Sequence, residues 1–227
     1  MARARVSNTA CKVTMAVTGV LFAAFVLVHM FGNLKVYQGA DAFNGYAAWL
    51  RMVGYPLLPQ EGVLWMLRIV LCLALVFHVG CGLTLWWRGR RARGAHRRKL
   101  TSVRARAASW MAPTGVLLLA FVVVHLLDLT TGHLAAGSFR GPDQAGFHAY
   151  ANLVASFQRP AYATLYAVVM AALGVHLAQG LWSVLHDLGG TAPRLRRAWW
   201  AVAILVATAL TIVNASIPIA VQAGWLS

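Results

Sequence analysis

Long apolar runs separated by short polar segments set the pattern of this sequence and predict its helices. Five runs are long enough to cross the hydrocarbon core of a bilayer, which takes about 20 residues of helix. We number them helices I to V, and they cover approximately residues 11–33, 63–88, 108–131, 161–186 and 197–222. Because the runs are continuous rather than alternating, they argue against a β-barrel. The pattern predicts an all-α integral membrane bundle of five transmembrane helices, forming a single membrane domain over residues 1–227.

Composition supports this prediction. Hydrophobic residues make up 60% of the chain and charged residues only 11%, whereas soluble domains carry about 25% charged residues. Helix I follows Arg3, Arg5 and Lys12, as the apolar region of a signal peptide follows basic residues. It is too long for that region, however, and no small-residue cleavage pattern closes it. We therefore expect helix I to remain as a mature span.

The net charge of +15 is concentrated in a few segments. Three Lys or Arg residues precede the apolar part of helix I, nine lie in residues 88–106 and three in 194–197, whereas segments 34–62 and 132–160 hold two each. The positive-inside rule then predicts a multi-pass protein of the cell membrane, with a cytoplasmic N-terminus and an external C-terminus. The basic cytoplasmic loop 88–107 suits contact with anionic lipid or docking of a cytoplasmic partner. Nucleic acid is not expected as a partner, because nothing folded accompanies this loop.

The sequence repeats itself. Helix I contains "TGVLFAAFVLVHMFGN" at Thr18–Asn33 and helix III contains "TGVLLLAFVVVHLLDL" at Thr114–Leu129. Helices II and IV share His-x3-Gly-Leu, and the loops before them share Phe-x-x-Tyr-Ala at Phe43–Ala47 and Phe147–Ala151. Helices I–II and III–IV are therefore predicted to form a parallel tandem repeat about an axis along the membrane normal, with helix V outside the repeat.

Each of helices I to IV carries one histidine. From the helical rise, His29 and His125 share a level near the outer ends, and His78 and His176 share a level about 15 Å deeper. Four histidines that only bond neighbouring helices are one interpretation, but ionisable residues within a membrane are costly and usually functional. A zinc site requires three or four converging ligands, whereas two opposed imidazoles suit a haem with both axial positions filled. The pattern predicts two haem b groups and electron transfer.

Three further residues fit a haem at each level. Gly19 and Gly115 fall near the depth of the deeper histidine pair, where they would make room for a porphyrin; small residues that close helix contacts are the alternative. Arg68 falls at the depth of the outer pair and would bind a haem propionate. The alternative is that its guanidinium reaches the outer interface.

The stretch "HMFGNLKVYQGADAFNGYAAWLR" (residues 29–51), with the ordered histidines, resembles the cytochrome b membrane anchor of succinate dehydrogenase and fumarate reductase (complex II). The resemblance is to the single-subunit, five-helix, di-haem type and covers essentially the whole chain. It implies that His29 and His125 bind the iron of the distal haem, and His78 and His176 the iron of the proximal haem. It also implies a cytoplasmic iron–sulfur subunit, a flavoprotein subunit bound to it, and electron exchange with a quinone, which is usually menaquinone in this type.

Candidate quinone-site residues lie at the outer ends of the helices. Glu61 and Tyr55 precede helix II, and Asp128 follows His125 by one turn. Glu61 is equally an exposed loop carboxylate near a helix N-terminus, and Asp128 is equally an ion-pair partner of Arg140 or Arg159. Helix IV has no internal carboxylate, which argues against the transmembrane proton route of some fumarate reductases of this group.

Other functions remain open at this point. A cytochrome b of a hydrogenase is a second redox interpretation, and a repeat-built transporter or structural anchor without haem is a third. The bc type is disfavoured because it carries two histidines on a single helix. The remaining histidines and the cysteines are interpreted as surface and packing residues; they are His96, His133, His148, His186, Cys11, Cys72 and Cys81.

Overall fold

The computed structural model of this chain describes residues 6–94, 103–142 and 146–227. Arg3, Arg5 and His96 of the sequence analysis lie outside these residues. All regular secondary structure in the described part of the chain is helical. The α-helices are α1 (Asn8–Asn33), α2 (Ala40–Met52), α3 (Gly62–Arg93), α4 (Val103–His125), α5 (Ala149–Phe157), α6 (Pro160–Asp187) and α7 (Pro193–Gln222).

Five of these helices are long and apolar enough to cross a bilayer. The spans have mean hydropathies of 1.7 to 2.2 and lengths of 26 to 32 residues; they run over Asn8–Gln38, Gly62–Arg93, Ala105–Thr130, Pro160–Asp187 and Pro193–Gln222. These spans correspond to helices I to V, so the predicted all-helical architecture with five candidate transmembrane helices is confirmed. The chain is therefore a multi-pass helical membrane protein.

Local signals explain where several of the helices begin. The Ser7 hydroxyl accepts a hydrogen bond from the Ala10 N–H at 3.0 Å and caps the start of α1. Helices α6 and α7 each begin with a proline, at Pro160 and Pro193. Proline suits the first helical turn because its missing N–H has no intrahelical partner there.

The segments predicted as outer loops contain further helices. A 3₁₀ turn at Leu34–Gln38 extends α1, and α2 and α5 lie within the predicted loops 34–62 and 132–160. The two short helices meet: the Tyr150 N–H donates to Asn44 Oδ1 at 3.0 Å. Phe43 of α2 also packs against the cluster to which Leu153, Val154 and Phe157 of α5 belong. We call the end of the bundle that these helices cover the capped end.

The opposite end carries most of the basic residues, and we call it the basic end. The Lys12 ammonium on α1 lies 3.3 Å from the Asp187 carboxylate on α6. At the end of α3 the guanidinium groups of Arg90 and Arg91 stack over Trp86 and Trp87. Helix α3 continues to Arg93, and α4 begins at Val103. Helical structure therefore extends into both ends of the predicted loop 88–107, since basic side chains leave a helix intact when they reach water or lipid headgroups.

The long helices pack as two pairs, α1 with α3 and α4 with α6, and the pairs meet where α1 contacts α6. Helix α7 lies against α6 and closes that side with a cluster of small and aliphatic residues, including Leu177, Ala203, Ala207 and Leu210. By contrast, Ala74 is the one buried residue of α3. The side of the bundle formed by α6 and α7 is thus its packed core, whereas most of α3 presents apolar side chains at the surface.

The close contact between α6 and α7 generates a stability prediction at Gly174. A Cβ placed there would collide with the Thr211 hydroxyl, which already donates to backbone carbonyls. Gly174→Ala should lower the free energy of unfolding by about 1–3 kcal/mol, the usual cost of overpacking, as measured by denaturant unfolding in detergent. Gly180→Ala on the same helix is the matched control, since a Cβ there meets nothing within 4 Å. Equal stability of the two variants would contradict this packing.

Candidate functional site

The four histidines of the long helices lie in two pairs. His78 on α3 and His176 on α6 form the basic-end pair, with ring centroids 6.5 Å apart and ring planes inclined by 55°. His29 on α1 and His125, the last residue of α4, form the capped-end pair, with centroids 6.0 Å apart and planes inclined by 83°. Each pair thus joins one helix of the α1–α3 pair to one helix of the α4–α6 pair.

The rings lie between helices without being buried. The His29 residue is exposed and the other three histidines are half-exposed. Aromatic side chains flank the capped-end pair: Phe25 stacks on His29 at 5.6 Å and Phe121 stacks on His125 at 5.7 Å between ring centroids. Each phenylalanine stands four residues before its histidine, so the two rings share a helix face. The four histidines are therefore not enclosed in the packed core of the bundle.

Hydroxyl groups orient the basic-end pair. Thr18 Oγ1 on α1 lies 2.9 Å from His78 Nδ1, and Thr114 Oγ1 on α4 lies 3.0 Å from His176 Nδ1. Each hydroxyl donates its single hydrogen to the carbonyl four residues earlier, at 2.7 and 2.6 Å respectively. It must then accept its second bond from an Nδ1–H group. This leaves Nε2 of His78 and of His176 with a lone pair for a metal ion.

The glycines beside these threonines accommodate the same two rings. A Cβ at Gly19 would lie 3.6 Å from His78 Cε1, and a Cβ at Gly115 would lie 3.4 Å from His176 Cε1. The two glycines therefore lie at the depth of the basic-end pair, as the helical rise predicts. Each Thr-Gly dipeptide supplies a hydrogen-bond acceptor and the space for one imidazole. The sequence analysis noted the repeated Thr-Gly but did not assign a role to its threonine.

A buried polar network adjoins the capped-end pair. Asp128 is completely buried and accepts hydrogen bonds from Ser156 Oγ at 2.5 Å and from Arg159 Nη2 at 2.5 Å. The Tyr166 hydroxyl donates to Asp128 at 3.1 Å and lies 3.4 Å from His125 Nδ1. A chain of polar groups therefore runs from the histidine to a half-exposed arginine.

A local departure from α-helical geometry carries Asp128. Residues Leu126–Thr130 form a π-helical segment directly after α4, and the Thr131 N–H donates to the Leu126 carbonyl at 2.9 Å. Such segments are rare and frequently occur at functional sites. Of the two ion pairs considered for Asp128, the one with Arg159 is present. The sequence analysis predicted neither the π-helical segment nor the bond to Tyr166.

The other predicted site residues lie before and at the start of α3. Glu61 has a left-handed backbone with φ of 62°, and its carboxylate lies 2.8 Å from Arg51 Nε and 3.7 Å from Arg68 Nη1. The Arg68 guanidinium also stacks over Trp65 at 4.7 Å. Glu61 and Trp65 therefore accompany Arg68, and its role as the partner of a haem propionate stays a prediction. Tyr55 is exposed at the capped end.

The remaining histidines and cysteines have other surroundings. His133 is exposed beside the Thr131 hydroxyl, and His186 packs edge-on against Trp182. The Cys81 thiol contacts the Cys11 side chain, a contact between α1 and α3 that sequence spacing did not predict.

The chain was compared with models of known protein families, with curated proteins and with solved structures, and no match was found. The fold defines the class of protein: a multi-pass helical membrane bundle whose long helices carry two pairs of histidines.

The hydroxyl contacts of the basic-end pair generate a prediction that needs no cofactor. Thr18→Val or Thr114→Val removes the acceptor of one Nδ1–H group while nearly preserving side-chain shape. Each substitution should lower the free energy of unfolding by about 1 kcal/mol, the usual net value of a hydrogen bond. Nitrogen-15 NMR of the histidine rings should also show loss of the Nδ1–H preference of the facing ring.

Thr84→Val is the matched control. Thr84 also donates to a carbonyl four residues earlier on a long helix, but no histidine bond is recorded for its hydroxyl. An unchanged ring spectrum in both Thr18→Val and Thr114→Val would refute the assigned proton positions.

Proposed function

We propose that this protein is a di-haem cytochrome b subunit that anchors a succinate dehydrogenase or fumarate reductase of the complex II type. It would pass electrons between the iron–sulfur subunit of that complex and a quinone, with menaquinone as the expected quinone. The observation that carries the proposal is the pair of neighbouring imidazoles at each of two levels, with centroids 6.0 and 6.5 Å apart.

The spacing of the rings fits a metal ion held between them. Metal–imidazole bonds are about 2.0–2.1 Å long, so one iron between two such rings separates their centres by about 6 Å. His29 and His125 would hold one haem, and His78 and His176 the other. A haem held by both imidazoles of a pair would supply electron transfer.

The surroundings of the basic-end pair support the same assignment. Thr18 and Thr114 keep a proton on Nδ1 and so direct Nε2 of each ring toward a metal. Gly19 and Gly115 have no side chains, so the helix surfaces beside the two rings leave space for them. At the capped end, Phe25 and Phe121 limit the orientation of their histidines.

The two levels define a path along the bundle. Thr18, at the level of the basic-end pair, and His29 are eleven residues apart on α1, which corresponds to about 16 Å. We assign the basic end to the cytoplasm of a cell that carries the protein in its plasma membrane, following the positive-inside rule. An iron–sulfur subunit docked there, with its flavoprotein partner, would be nearest to His78 and His176. The C-terminus would then be external.

Of the quinone-site candidates, the surroundings favour Glu61 and Tyr55 over Asp128. The Glu61 side chain is 34% exposed, although two arginines accompany it, and Tyr55 is exposed. Asp128 is completely buried, and three hydrogen bonds occupy its oxygens. A quinone would meet Glu61 more readily, near the level of the capped-end pair.

Haem content tests the central part of this proposal. The purified protein should contain two low-spin b haems per chain, measured by a reduced-minus-oxidised spectrum and a haem assay. His78→Ala or His176→Ala should remove the same one haem and leave the other, whereas His186→Ala, an exposed control on α6, should retain both. A chain without haem would leave a transporter or structural anchor as the alternative function.

Association with partner subunits tests the complex. A tagged chain purified from its native membrane in mild detergent should retain a flavoprotein and an iron–sulfur protein with succinate:quinone reductase activity. Recovery of a hydrogenase instead would contradict the complex II assignment while leaving the di-haem assignment intact.

A further inference from the structure

We propose that Tyr166, held by the buried Asp128–Arg159 ion pair, is a positioning residue that keeps the His125 proton on Nδ1 and makes this imidazole the most electron-rich of the four. The electronic part of the inference rests on the proposed function, because it concerns His125 as an iron ligand. The proton position rests on the hydrogen bonds alone.

The directions of these hydrogen bonds follow from the chemistry of each group. An ionised carboxylate only accepts, so Ser156, Arg159 and Tyr166 all donate to Asp128. With its hydrogen directed to Asp128, the Tyr166 oxygen can only accept from His125 Nδ1, at 3.4 Å. His125 is therefore protonated on Nδ1 and presents the lone pair of Nε2.

Charge distinguishes this relay from the threonine contacts of the basic-end pair. Thr18 and Thr114 donate to neutral backbone carbonyls, whereas Tyr166 donates to a carboxylate that is completely buried. Hydrogen bonds in series polarise one another in a low-dielectric interior. The carboxylate therefore draws the tyrosine proton, and the tyrosine oxygen in turn draws the Nδ1 proton, which raises the basicity of Nε2.

The relay occurs in only one of the two sequence copies. At the offsets that align the histidines, Tyr166 corresponds to Arg68 and Asp128 corresponds to Gly32. Within the described residues, no hydroxyl group is recorded within hydrogen-bond distance of the His29 ring, which stacks on Phe25 instead. The capped-end pair thus combines one imidazole supported by an anion with one supported by an aromatic ring. A more basic His125 would favour the oxidised form of a haem held at the capped end and would lower its reduction potential.

A redox titration of the purified full-length protein tests the electronic part. Tyr166→Phe removes the hydroxyl and leaves Asp128 bonded to Ser156 and Arg159. We expect both haems to remain bound and the reduction equilibrium constant of one haem to rise at least threefold, with the other unchanged. Asp128→Asn should raise the reduction equilibrium constant of the same haem.

Tyr162→Phe is the matched control. Tyr162 lies one turn earlier on α6, and its ring centroid is 3.5 Å from the Arg159 guanidinium carbon. Removal of its hydroxyl should leave the reduction potentials of both haems unchanged. If Tyr166→Phe retains both haems and neither potential moves, the electronic role of the relay is overturned while the proposed function stands. If the unmodified protein contains no haem, the proposed function is overturned and the electronic role falls with it.

The proton position has a separate readout that needs no haem. Nitrogen-15 NMR of the histidine rings in haem-free protein should show His125 protonated on Nδ1, and in Tyr166→Phe this preference should be lost. An unchanged His125 spectrum in Tyr166→Phe would overturn the positioning role, whatever the outcome of the redox titration.

Discussion

The structure depends on one constraint: an imidazole within a membrane must find a partner for its N–H group, because an unpaired polar group there costs several kcal/mol. For three of the four imidazoles, those of His78, His125 and His176, the partner is a hydroxyl whose own hydrogen is donated elsewhere, whereas His29 stacks on Phe25. Thr18 joins α1 to α3 through His78, and Thr114 joins α4 to α6 through His176. Tyr166 joins α6 to α4 through His125. These are the same helix pairs that pack together, so the bonds that orient the rings also specify which helices are neighbours.

The features predicted correctly from the sequence are those that depend on length and rise. Five apolar runs of sufficient length became five long helices, and a rise of 1.5 Å per residue was enough to place Gly19 beside His78 and Gly115 beside His176. What the sequence did not reveal depends on rotation about the helix axis and on contacts between distant segments. The bond between Tyr166 and Asp128 crosses 38 residues and follows a π-helical segment. The helices α2 and α5 were not predicted, because short amphipathic helices have compositions similar to those of loops.

The two halves of the chain contribute differently to the site. The basic-end pair is nearly symmetric, since each ring has a threonine, a glycine and the same proton position. The capped-end pair is not, because Asp128 and Arg159 support His125 whereas Phe25 stacks on His29. Within the proposed function, identical ligand pairs would therefore experience different fields at the two levels, and the chain's own residues would make one level a better electron acceptor than the other.

Helix α7 gives the bundle a closed side and an open side. It covers α6 with small residues, while α3 on the other side buries only Ala74 and packs against α1 and α2 in the described part of the chain. Most of the apolar surface of α3 is therefore left uncovered by the rest of the chain, and in a bilayer acyl chains or another membrane helix would cover this flank.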